Sequence, residues 1–109
     1  MALRLFVLQR LTAALMVPLI AVHIWVIYYA TTSELTAADI LTRTRGSLFW
    51  TLFYAVFVLL VSVHASLGVR SVLADWSPLD EPGLDCAMWL VLILLLTTGV
   101  RALTAVVSL

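Results

Sequence analysis

Two side chains within the apolar stretches of this sequence can ligate a metal or carry a proton near neutral pH, His23 and His64. An ionisable group at membrane depth is costly, and is kept where it serves a function or is buried between helices. Neutral imidazole binds haem iron through one ring nitrogen while the other donates to an acceptor, so each histidine is a candidate haem ligand. Taken singly, an interhelical hydrogen bond explains either one as well. The run His64-Ala65-Ser66-Leu67-Gly68 strengthens the first reading for His64. Gly68 falls on the same helix face one turn away, where a missing side chain leaves room for a flat porphyrin beside the backbone. A close helix contact of the small-residue kind would explain the same glycine without a cofactor.

The elements that position these residues have to cross a bilayer. The chain has 109 residues, 64% of them hydrophobic and 11% charged, with a mean hydropathy of +1.17. Soluble domains are roughly half apolar and a quarter charged. Leu11 to Ala30 runs 20 residues without a formal charge, Ser47 to Val69 runs 23, and Cys86 to Val100 runs 15 and continues past Arg101. A helix of ~20 residues covers the ~30 Å hydrocarbon core. Hydrocarbon offers no partner to backbone N–H and C=O groups, and three short segments without alternating polarity cannot close a barrel. The expected fold is all-α: one membrane domain over residues 1–109 with three transmembrane helices at 11–30, 47–69 and 86–107.

The connections fit that plan. Thr36-Ala-Ala-Asp39 has the form of an N-cap with an acid three residues on, which starts a short interfacial helix. The segment DWSPLDEPGLD, with Pro78, Pro82 and Gly83, reads as a turn. Pro18 is expected to kink the first span, because it removes a backbone donor. Phe49, Trp50, Phe53, Tyr54 and Phe57 follow helical spacing in part and read as packing. Arg4 and Arg10 precede an apolar run longer than a secretory signal peptide uses, so the first span is expected to be retained. Arg4, Arg10 and Arg70 on one side against Arg43 and Arg45 on the other favour a cytoplasmic N-terminus.

Composition also excludes functions. Six arginines and no lysine balance six acidic residues, which leaves no basic footprint for nucleic acid. The single cysteine, Cys86, can neither close an intrachain disulfide nor build a thiolate metal site, and reads as an inert apolar residue.

The run from His64 through Gly68 to Asp75-Trp76 resembles the helix II signature of the cytochrome b membrane-anchor subunits of succinate dehydrogenase and fumarate reductase. In that signature a haem-ligating His is followed by Gly four residues on and by Asp eleven on, with an aromatic residue next. Gln9-Arg10-Leu-Thr12-Ala13 resembles the start of helix I in the same anchors, and the likeness covers nearly the whole chain. The resemblance implies haem b and quinone as cofactors, with His64 an axial ligand of the haem iron. It places Arg10, Asp75 and Trp76 in the vicinity of the quinone. It implies as partners the lipid bilayer, an iron–sulfur subunit, a flavoprotein subunit, and a second membrane-anchor subunit or a second copy of this chain, in a bacterial cytoplasmic membrane. The implied role is to pass electrons between the iron–sulfur subunit and the quinone pool, with no carbon chemistry in this chain.

The sequence departs from the family pattern at two places. Trp76 stands where a Tyr is usual, and Phe6 stands one turn before Arg10 where one anchor type carries a Ser. An indole N–H can donate to a quinone carbonyl but cannot relay a proton as a phenol can. Interfacial anchoring accounts for Arg10 and Trp76 in any membrane protein, and a helix-end salt bridge for Asp75. Arg70 suits a haem propionate, since guanidinium binds carboxylates bidentately, and equally suits snorkelling to the headgroups. If Arg10 and Arg70 mark one interface, His23 and His64 differ in depth by ~10 Å, too much to share one iron. His64 would then pair with a His from a partner subunit or from a second copy of this chain. His23 would be structural, or the ligand of a second haem. The rival readings are a haem-free structural or pore-forming three-helix protein and a small transporter, for which the spans lack an intramembrane acid.

Overall fold

The computed structural model describes residues 3–107, which form helices α1 (Leu3–Thr32), α2 (Ala37–Thr44), α3 (Leu48–Trp76) and α4 (Glu81–Val107). Helices α1, α3 and α4 are each long and apolar enough to cross a membrane. The molecule measures 49 × 24 × 22 Å, and its long axis matches a bilayer with its headgroup layers. The chain is a multi-pass membrane protein.

The three spans lie side by side, with α3 in the middle, packed on α1 along one flank and on α4 along the other. Each outer helix turns one stripe inward. On α1 the stripe runs through Leu5, Gln9, Thr12, Met16, Leu19, His23, Val26 and Ala30, at alternating three- and four-residue steps. Its opposite face, with Leu11, Leu15, Ile24 and Trp25, is exposed. Among the described residues only Leu67 and Leu84 are buried apolar side chains, whereas Thr12, Thr44, Ser62, Ser66 and Arg70 are buried polar ones. That inversion of a soluble core follows from the solvent. Lipid gives helices no hydrophobic reason to associate, so small side chains and hydrogen bonds hold the seams. Gly99 is one such point: a Cβ there would come 2.5 Å from Val58 Cγ1, so the approach of α4 to α3 requires glycine.

The helix ends show why the spans begin and stop where they do. Thr36 caps α2 with a capping box, in which its hydroxyl accepts from the Asp39 amide and the Asp39 carboxylate accepts from the Thr36 amide. The Thr36 amide and hydroxyl, helped by Arg43, hold the Asp39 carboxyl below its ordinary value. Helix α2 is then tied to the far end of α4, because the Thr44 hydroxyl donates to the Val106 carbonyl at 2.8 Å and the Gly46 amide to that of Val107 at 2.9 Å. Gly46 makes this return with φ of 69°, the left-handed region.

The segment read from sequence as one turn is shorter in the structure. Only residues 77–80 separate α3 from α4, and Glu81 to Asp85 already belong to α4. The Asp80 carboxylate accepts from the Gly83 amide, capping the helix, and Pro82 sits in the first turn, where its missing N–H costs nothing. The apolar runs are likewise shorter than the helices, which carry their polar ends beyond the hydrocarbon. Helix α1 continues through Pro18 without a break.

Candidate functional site

Antiparallel packing of α1 on α3 brings Gln9, Thr12, His64 and Gly68 together in one seam. Thr12, only 3% exposed, places its hydroxyl 3.2 Å from His64 Nδ1. The same hydroxyl oxygen lies 2.9 Å from the Leu8 carbonyl and 3.0 Å from that of Gln9. No described residue hydrogen-bonds His64 through Nε2. One turn along, a Cβ on Gly68 would meet Gln9 Nε2 at 3.4 Å, the tip of a flexible side chain. Packing within the chain therefore does not demand glycine at 68 as it does at 99. Gln9 Oε1 is buried in this seam without a hydrogen-bond partner among the described residues, an acceptor that costs free energy unless a donor reaches it.

Arg70 lies in the other seam. It is 5% exposed, and its guanidinium spans to α4, with Nη2 donating to Glu81 Oε2 at 2.7 Å and Nε to Asp85 Oδ1 at 3.0 Å. Both carboxylates remain largely in solvent. The arginine is thus neither snorkelling nor free: two of its donor groups clamp the start of α4 onto α3. A propionate could engage it only by sharing or displacing these acids.

Arg10, Asp75 and Trp76 share this end of the bundle with His64 but do not touch one another. Arg10 is exposed and rests its guanidinium 5.3 Å from the Phe6 ring centre. Asp75 and Trp76 close α3, exposed, and the Trp76 indole is 86% accessible. With Gln9 level with Gly68, Arg10 lies about 13 Å deeper than Trp76 at the helical rise, so the three do not form one enclosed pocket.

His23 stands in the opposite half. Its ring packs edge-on against Tyr54 and Phe57, with centroids 6.0 and 5.3 Å away, and its Nδ1 is buried without a hydrogen-bond partner among the described residues. It fronts a cleft of about 630 Å³ between α1, α2 and α3, lined by Trp25, Trp50, Tyr54 and Arg43 among others, and a smaller one of about 340 Å³ reaching Gly99 on α4. The observed register widens the separation of the two histidines. His64 is level with Thr12, so His23 lies about 16 Å deeper along α1 at the helical rise. The ~10 Å expected from the sequence took Arg10 and Arg70 as level, whereas Gln9 faces Gly68, which puts Arg10 deeper than Arg70.

Sequence reasoning picked out His64 and Gly68, and noted Thr12 only as part of the helix I start. Gln9 was noted in the same way, and Glu81 and Asp85 were missed. Glu81 and Asp85, four residues apart at the head of a span, mark one helix face, and an arginine near the end of the preceding span was the signal for their partner.

The family of the succinate dehydrogenase/fumarate reductase transmembrane subunit matches residues 2–100. A curated relative, the succinate dehydrogenase hydrophobic membrane anchor subunit of Archaeoglobus fulgidus, is 34% identical over 70 residues, which are 64% of this chain. The match spans 59% of that relative's length. No solved structure matches.

Proposed function

Because the chain belongs to the succinate dehydrogenase/fumarate reductase transmembrane-subunit family, we propose that it anchors an iron–sulfur subunit and a flavoprotein subunit to the membrane. With a second anchor or a second copy of itself, it holds haem b and a quinone. The observation that carries the haem reading is the His64–Gly68 pair. One imidazole nitrogen is held by Thr12, the other is unengaged by the described residues, and glycine one turn away is not required by packing within the chain.

These residues fit the group. His64 would supply an iron ligand through Nε2, and Gly68 would leave space for the ring beside the helix. Haem, when bound, supplies a one-electron redox centre. The chain itself contributes low-dielectric walls and hydrogen bonds that tune it. A quinone would lie toward the α3 end, where the Trp76 indole N–H could donate to a carbonyl oxygen, with the Asp75 charge beside it and that of Arg10 deeper along α1. Electrons would pass from the iron–sulfur subunit to the quinone, or in reverse, with the N-terminus on the cytoplasmic side.

Affinity purification of the tagged chain under mild detergent, with mass identification of what accompanies it, tests the anchor role. The expected companions are a flavoprotein, an iron–sulfur protein and a further membrane subunit. A chain that purifies alone from cells expressing those subunits contradicts it.

A further inference from the structure

Thr12 sets a hydroxyl against one ring nitrogen of His64. Thr12 Oγ1 lies within hydrogen-bond distance of the carbonyl oxygens of Leu8 and Gln9 and of His64 Nδ1. Carbonyl oxygens only accept, and a hydroxyl has one proton to give; the shorter distances to the carbonyls, 2.9 and 3.0 Å against 3.2 Å to Nδ1, favour giving it to one of them. Of the three neighbours only the imidazole can supply a proton, and Nδ1–H then donates to the hydroxyl oxygen at 3.2 Å. The neutral ring carries its single proton on Nδ1, which leaves Nε2 with its lone pair bare. Thr12 is positioned to do this because it is buried in the α1–α3 seam, only 3% exposed. His23, whose Nδ1 is buried without a partner among the described residues, has no such device there.

We propose that Thr12 is a positioning residue: its hydroxyl, polarised by the α1 backbone, locks His64 in the Nδ1–H tautomer and directs Nε2 to act as the metal-binding nitrogen. The inference rests on the reading of His64 as a haem ligand, and adds what prepares it. A ligand imidazole whose other N–H is hydrogen-bonded is held in orientation and is more basic, and loss of such an outer partner weakens metal binding on the order of tenfold or more. The more basic nitrogen favours ferric iron, so losing the bond raises the midpoint potential.

Two measurements test it. In the haem-free full chain, reconstituted in lipid with 15N-labelled histidine, the His64 ring resonances of the wild type are expected to show a protonated Nδ1 and a bare Nε2. A proton on Nε2 overturns the proposal, and this readout needs neither haem nor a variant. In the assembled complex, Thr12→Val is expected to lower haem affinity on the order of tenfold, to raise the haem midpoint potential and to shift the low-spin electron paramagnetic resonance of the ferric haem, with Thr12→Ser restoring all three. Thr12→Ala replaces Thr12→Val if the latter does not assemble. A hydroxyl-free variant with unchanged potential and resonance overturns the role of Thr12 while His64 stands. Haem that survives His64→Ala overturns the ligand reading itself.

Discussion

At the scale of single residues, the two histidines are set apart by what holds them. His64 is oriented from behind by a buried hydroxyl, and its neighbouring turn presents glycine. His23 is wedged between aromatic edges that restrict the ring without fixing its proton. We propose the haem at His64 alone, while His23 lines the far cleft. His23→Ala should therefore leave the haem-to-protein ratio of the purified complex unchanged, as measured by pyridine haemochrome. Loss of half the haem would instead make His23 the ligand of a second one.

At the scale of elements, α3 carries the burden, since it is the helix both neighbours pack on. Its attachment to α4 depends on two unlike contacts, the Gly99–Val58 approach in the far half and the Arg70 clamp at the near end. Arg70→Gln should destabilise the hairpin by about 1–2 kcal/mol, the low part of the range for charged hydrogen bonds because both acids stay in solvent. Thermal denaturation in detergent measures this, with haem content as the control. A variant that keeps its stability and loses haem would return Arg70 to the propionate. The spans, the α2 capping box and the His64–Gly68 pair were legible in the sequence because each depends on near neighbours in the chain. The partners of His64 and Arg70 were not, because they depend on the register of one helix against another. An error of one turn in that register moved His23 from ~10 to ~16 Å away from His64 in depth.

At the scale of the whole molecule, three spans in a row leave broad apolar flanks on α1 and α4 and a seam with an unsatisfied Gln9 acceptor and an unengaged His64 nitrogen. Lipid can cover the flanks, and no described residue engages the Nε2 of His64. With family membership, this supports the proposal that His64 supplies one ligand to a haem shared with a partner anchor. The most direct measurement is the reduced-minus-oxidised absorption spectrum of the assembled complex, wild type against His64→Ala. The account predicts a b-type band in the wild type and its loss in the variant, with the subunits still co-purifying. A wild-type complex without the band, or a variant that keeps it, would contradict the account.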